Sequence, residues 1–238
     1  LAANRALSQS GLVTLTFGNV SVADRKSAVF AIKPSGVDYS KLKPEDMVVL
    51  DWEGKVVEGA LRPSSDTPTH RLLLRHFDGA ASVVHTHSPK AVAFAQAGRV
   101  LECLGTTHAD YFNGPVPVTR SLLSAEIEGE YELHTAELIL EAFEAKDPAA
   151  TPSVLVRGHG PFAWGPSWEK AIEHAVALEL CAAMALDTLL LEPGVRPLCP
   201  YLHTKHHSRK HGPSAYYGQE AFIPSSQRSQ EAAGSTHP

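Results

Sequence analysis

The chain has 238 residues, 43% of them hydrophobic and 20% charged, an ordinary globular composition with ample material for one core. A net charge of −5 argues against a general nucleic-acid surface, although it leaves room for a local anion pocket. Cys103, Cys181 and Cys199 are few, odd in number and without a CxxC pair, so no disulfide framework is expected and a reducing, cytoplasmic setting is favoured. Each cysteine reads as a small buried hydrophobe. No signal peptide is visible. The most apolar segment, Ala175 to Leu191, is interrupted by Glu179 and Asp187; it reads as a buried or amphipathic helix, and no stretch is expected to cross a bilayer. The chain opens on Leu1 rather than Met, so a preceding segment is expected.

Asn4 to Gln9 reads as the end of a helix, with Gly11 as its stop. Leu12 to Phe17 alternates apolar with polar residues and predicts a strand, closed by a Gly18-Asn19 corner that suits an oxyanion or a plain turn. Val29 to Ile32 predicts a short buried strand. Lys33-Pro34-Ser35-Gly36 follows, with a cation, a hydroxyl and a glycine that lets backbone approach a ligand. Strands are expected at Met47 to Leu50 and Val56 to Val57, so the first third reads as an antiparallel meander. In Arg62 to His70, Ser65 or Asp66 can cap a helix that has Pro68 in its first turn, and the serines before it suit an anion. Asp66 reads equally as a cap and as a ligand or base.

Val83-Val84-His85-Thr86-His87 is an apolar run leading into two histidines. Side chains two apart on a strand share a face, so two imidazoles can meet one cation. Lys90 to Ala97 predicts a helix closed by Gly98. Gly105 to Phe112 reads as a polar loop carrying His, Asp and Tyr within four residues, where acid–base chemistry often sits. Pro115 to Val118 suggests an edge strand, Leu133 to Ala145 a helix and Ser153 to Val156 a buried strand. That last strand runs into Arg157-Gly158-His159-Gly160, a histidine with open approach. With His85 and His87 it makes a three-His set, the arrangement of a catalytic rather than a closed structural metal site. Ser167 to Leu191 predicts a long packing helix. His203, His207 and His211 fall at helical spacing and read as a solvated basic face, and residues 220–238 read as a disordered tail.

The segments LTFGNVS, IKPSGVDY, PSSDTPTHR, VHTHS, GTTHADYF, GHGPFAWG and RKHG…AYYGQ, in that order, closely resemble the class II aldolase/adducin-type family, and within it the branch that epimerises pentulose phosphates. The match runs from about Leu12 to Gln219. Related fuculose- and rhamnulose-phosphate aldolases share the three histidines, but carry glutamate in place of Asp66 and lack HADYF. A non-catalytic adducin-like relative is expected to lack the metal histidines.

The resemblance implies an α/β fold of three layers, a central, mostly antiparallel sheet flanked by helices, forming one catalytic domain over residues 1–219. It implies one Zn2+ per subunit on His85, His87 and His159, with Asp66 as a fourth ligand. Imidazole sites also take Mn2+ or Co2+. It places substrate and phosphate contacts at Gly18, Asn19, Lys33, Ser35, Gly36, Ser64 and Ser65, and proton carriers at Asp110 and Tyr217, assisted by His206. It implies a homotetramer with active sites between subunits, a small sugar phosphate as the partner molecule, and neither nucleic acid nor membrane. The implied reaction interconverts L-ribulose 5-phosphate and D-xylulose 5-phosphate, a step used in both L-arabinose and L-ascorbate breakdown. The C4–H bond is not acidic, but the C2 ketone permits retro-aldol cleavage of C3–C4. Turning the aldehyde fragment before re-addition then inverts C4.

Overall fold

Short β-branched runs bounded by Gly, Asp and Pro form the strands of the computed structural model, which describes residues 1–212, 215 and 216. Alanine- and leucine-rich runs form its helices. The order is α1 (Ala2–Gln9), β1 (Asn19–Asp24), β2 (Val29–Ile32), β3 (Val48–Asp51), β4 (Val56–Glu58), α2 (Thr67–His76), β5 (Ser82–His85), α3 (Pro89–Ala97), α4 (Thr106–Ala109), α5 (Ser124–Glu128), α6 (Tyr131–Ala142), β6 (Ser153–Leu155), β7 (Pro161–Gly165), α7 (Trp168–Leu191) and α8 (Pro200–Lys210). Tyr217 and the tail expected at 220–238 lie outside the described residues.

The strands form one sheet in the order β4-β3-β2-β1-β5-β7-β6, and every neighbouring pair is antiparallel. The period-2 alternation of β5 divides the layers. Val83 packs with Leu73 and Leu74 of α2, Ile139 of α6 and Phe162. Val84 faces the other way, with Leu7 of α1 and Ala171, Ile172 and Ala175 of α7. Leu73 and Leu74 are fully buried, each contributing about 2 kcal/mol of apolar burial that holds α2 against the sheet. The expected helix-flanked antiparallel sheet is present.

Several local expectations are corrected. Leu12–Phe17 is a loop: its alternation finds no neighbouring strand, because the partner edge of β5 pairs with Asn19 to Val22 instead. Leu15 has a positive φ of 58° and is exposed, as is Phe17. The Gly18-Asn19 corner therefore opens a strand rather than closing one. β7 was not foreseen, since Pro161 and the fully buried PFAWG run show neither alternation nor a turn-bounded β-branched stretch. Pro115–Val118 makes only isolated bridges to Leu101 and Leu155, because its prolines cannot donate to a ladder. The polar segment at Gly105 contains α4, with His108 and Asp110 buried and Phe112 packed beneath. All three cysteines are free; Cys103 and Cys181 are buried, but Cys199 is exposed.

α7 corrects the membrane reading, because its 24 residues are long and apolar enough to cross a bilayer by length and composition. In this fold one face, including Ala171, Ala175, Leu178 and Ala182, is buried against the sheet and α3. The charge that interrupts it has a local use. The Glu179 carboxylate accepts the Lys90 and Ala91 backbone N–H groups, both at 2.9 Å, and so closes the exposed start of α3.

Candidate active site

β5 ends at His85, which pairs with Asn19 across β1 on one side and with Phe162 across β7 on the other. The His85 ring stacks on Phe162 at 4.2 Å, and its Nδ1–H donates to Pro161 O at 2.9 Å. That bond leaves the Nε2 lone pair free. His87 lies beyond the strand end, yet its ring centroid is 4.9 Å from that of His85. Phe17 stacks against its other side at 5.6 Å. His159 arrives from the β6–β7 turn, which closes by Val156 N–H to Gly160 O and His159 N–H to Val156 O. The glycines around it do different things. Gly158 takes a φ of +74°, and a Cβ on Gly160 would stand 2.8 Å from Thr86 O. Gly160 thus lets the turn press against the His85–His87 segment.

The ligand nitrogens of His85, His87 and His159 all lie within 4.8 Å of one another. Burial pushes His85 down to about 3 and lowers His159, each also disfavoured in its charged form by neighbouring imidazole. Both are neutral at pH 7, the form a divalent metal requires. The donor set and its spacing fit such an ion, with room for an open position.

Asp66, rather than Ser65, stands at the N-cap of α2, but its side chain makes no cap bond. Its carboxylate instead accepts Asn19 Nδ2 at 2.7 Å, while the same amide donates to Ser64 Oγ at 3.0 Å. Burial raises the Asp66 pKa, but the His85 and His70 imidazoles and the Asn19 hydrogen bond outweigh it, and the carboxyl sits below its usual range. Gly18 has a φ of +78°, and a Cβ there would meet His85 O at 2.8 Å. Only glycine allows the Phe17–Asn19 segment to lie this close to the His85 backbone.

One cavity of about 350 Å³ is lined by all four expected ligands and by all seven expected substrate contacts: Gly18, Asn19, Lys33, Ser35, Gly36, Ser64 and Ser65. At its far side two turns are zipped together by Ser35 N–H to Arg62 O and Ser64 N–H to Lys33 O, both 3.0 Å. Lys33 is only 2% exposed, and among the described residues no carboxylate lies within ion-pair reach of it. Its ammonium sits 4.9 Å from the Tyr39 ring centroid, and burial lowers its pKa. A buried cation beside two serine-bearing turns is chemistry for an anion.

Asp110 and His206 do not line this cavity. Asp110 follows α4, and its carboxylate accepts Arg209 Nε at 3.0 Å, Arg209 Nη2 at 2.6 Å and His206 Nδ1 at 3.1 Å. Burial opposes its ionisation, but those two donors win and hold its pKa low. It borders a different and larger cavity, of about 570 Å³, with Tyr111, Lys210 and His211. The structure thus gathers the expected metal and substrate residues around one cavity and places Asp110, hydrogen-bonded to His206, at another. Tyr217 lies outside the described residues. Sequence reasoning missed Tyr131, whose hydroxyl is 3.4 Å from His159 Nδ1, and Glu132 beside it in the cavity wall. It also missed Arg209. A tyrosine and an acid at a helix start after Gly129 were the available signal for the first pair.

The geometry defines one cavity in which three clustered imidazoles could hold a divalent metal ion, with a buried lysine in the same wall. The family model for the Class II Aldolase and Adducin N-terminal domain matches residues 1–186. The L-ribulose-5-phosphate 4-epimerase UlaF of Salmonella paratyphi A is 51% identical over 218 residues, covering 92% of this chain and 96% of the relative. Among solved structures, an L-fuculose 1-phosphate aldolase superposes with a TM-score of 0.74 at 24% identity, over 87% of this chain and 92% of that one. The L-fuculose-1-phosphate aldolase of Thermus thermophilus gives a TM-score of 0.63 at 30% identity, over 83% and 95%. The chain belongs to the class II aldolase and adducin family.

Proposed function

We propose that this chain is an isomerase that interconverts L-ribulose 5-phosphate and D-xylulose 5-phosphate by cleaving and re-forming the C3–C4 bond. The observation that carries it is the single cavity joining three clustered imidazoles to a buried lysine between two serine turns, in a chain half identical to named epimerases. His85, His87 and His159 hold a zinc ion, with Asp66 as fourth ligand. A bound divalent metal there supplies a Lewis acid for charge developing on the sugar oxygens. Lys33, Ser35, Ser64, Ser65 and the backbone at Gly36 grip the phosphate, so the aldehyde fragment turns without leaving. Gly18 and Asn19 complete the wall beside the reacting carbons.

Cleavage requires that the C4 hydroxyl lose a proton as its electrons form the aldehyde and the C3–C4 pair moves toward the C2 carbonyl. Re-addition on the other aldehyde face re-forms C3–C4 and returns a proton to O4. Asp110, kept ionised by Arg209 and His206, accepts or returns that proton on one face, and Tyr217 acts on the other. Because Asp110 lies away from the chain's own histidines, it serves the cavity of a second copy. A homotetramer with interfacial sites satisfies that need, and the free thiols suit a cytoplasmic setting.

The 30% likeness to a solved fuculose-phosphate aldolase favours one second reading, an aldolase that releases its fragments. The deciding experiment is turnover of L-ribulose 5-phosphate by metal-stripped protein, before and after zinc, with both D-xylulose 5-phosphate and free glycolaldehyde phosphate measured. Zinc-restored xylulose phosphate without free aldehyde is the expected outcome. Accumulating aldehyde would replace the epimerase by the aldolase, and no product of either kind would refute both.

A further inference from the structure

Behind the cavity wall stands one side chain that touches both ends of the cavity without lining it. Asp38 caps a single turn at Tyr39–Lys41, its carboxylate accepting the Ser40 N–H at 2.8 Å and the Ser40 hydroxyl at 2.6 Å. That turn leaves Ser40 and Lys41 exposed and buries Tyr39. Tyr39 does not line the cavity, but Lys33, Phe17 and Gly18 do. The Tyr39 ring centroid lies 4.9 Å from the Lys33 ammonium, and its hydroxyl is 2.7 Å from Gly18 O and 3.2 Å from Phe17 O.

Each contact meets a need that the surroundings leave open. Lys33 is buried without a carboxylate in ion-pair reach among the described residues, and its Nζ donates to Pro34 O over a long 3.4 Å. Asp38, whose charge reaches Lys33, has its carboxylate engaged by Ser40. The negative face of a phenol ring attracts such a cation most strongly where water is excluded. The Leu12–Phe17 loop, for its part, pairs with no strand and turns through Leu15 at a φ of 58°. A phenol keeps its proton at neutral pH, so the Tyr39 hydroxyl is the donor to the two carbonyls. It pins the loop where β1 begins, beside the metal end: Phe17 stacks on His87, and Gly18 lies against His85 O.

We infer that Tyr39 couples the anion end of the cavity to its metal end: its ring seats the Lys33 ammonium while its hydroxyl anchors the Phe17–Gly18 backbone beside His85 and His87. Tyr39 is a positioning residue, since it acts through Lys33 and the loop. The coupling fixes the span between the bound phosphate and the reacting carbons. A fragment held by its phosphate must turn and present its other face at the same place, so this span matters more to re-addition than to binding. The inference rests on the reading of Lys33 as the phosphate cation.

Two replacements separate the ring from the hydroxyl. Tyr39→Phe keeps the ring and loses the hydroxyl, whereas Tyr39→Leu loses both. The dissociation constant of inorganic phosphate, measured on the full chain by calorimetry, should stay within about twofold in Tyr39→Phe and weaken about 10–30-fold in Tyr39→Leu. With L-ribulose 5-phosphate, Tyr39→Phe should lower kcat about 3–10-fold while KM stays within about twofold. Tyr39→Leu should in addition raise KM about tenfold. Wild-type phosphate affinity in Tyr39→Leu, equal weakening in both variants, or an unchanged kcat in Tyr39→Phe would overturn the coupling. A further readout does not depend on either variant folding. In proton spectra of the unmodified chain, the Lys33 methylene next to the ammonium should resonate upfield of that of free lysine, shielded by the ring face, and an unshifted signal would overturn the coupling. Phosphate binding without epimerisation would sink the proposed reaction, and the phosphate affinities of the two variants would still decide for or against Tyr39.

Discussion

Lowering the pH of the metal-stripped protein from 7 to 5 should remove a large part of its stability through two buried imidazoles. His70 is fully buried and His108 is 4% exposed, and desolvation lowers each to about 4. In the unfolded chain both titrate near 6.5. The folded values lie below the unfolded ones, so these contributions are complete above pH 6.5 and drain away as the pH falls toward 4. Between pH 7 and pH 5 each loses about 2 kcal/mol, or about 4 kcal/mol together, against a usual total of about 5–15 kcal/mol. His85, pushed lower still, acts in the same direction. Urea unfolding at fixed protein concentration, followed through the buried Trp164, would measure this. His108→Gln keeps an N–H where Nε2–H now donates to Gly114 O at 2.8 Å, but does not titrate, so it should recover about 2 kcal/mol of the loss. Stability at pH 5 within 1 kcal/mol of that at pH 7 would refute the reasoning.

Other outcomes follow from the site. His87→Ala should lose most bound zinc together with activity, and unchanged metal content by elemental analysis would remove His87 from the ligand set. Gly18→Ala should cost about 3 kcal/mol in urea unfolding, combining a positive φ with a Cβ 2.8 Å from His85 O. An unchanged midpoint would mean the loop yields freely. Asp110→Asn should keep its metal but lose about 10²–10⁴-fold in epimerisation rate, and a wild-type rate would free Asp110 from any proton-transfer role.

How much was legible beforehand varied by element. β2 was read at its observed bounds, and β3, β6, α3 and α7 within two residues, because each is a β-branched or alanine-rich run with Gly, Pro or Ser at its ends. Leu12–Phe17 misled because alternation marks a surface that could pair, not a strand that does. β7 was invisible for the opposite reason: buried on both faces and starting at proline, it carries no period. Tyr131 and Arg209 escaped notice because each gains its role only from a partner far along the chain, His159 for the one and Asp110 for the other.

The sequence by itself determined the chemistry of the site. Two histidines two apart, a histidine between glycines, and a lysine and serines on proline-marked turns carry their ligand atoms wherever the chain takes them. Only the tertiary structure decided which of them meet. The antiparallel register of β1, β5 and β7 sets Asn19, His85 and Phe162 side by side, and the Gly158–Gly160 turn brings His159 to them. The same packing puts Asp110 against α8, outside that cavity. Residue types are local properties, whereas a metal site or an anion pocket is a set of distances, and those distances come from strand register and helix docking across many tens of residues.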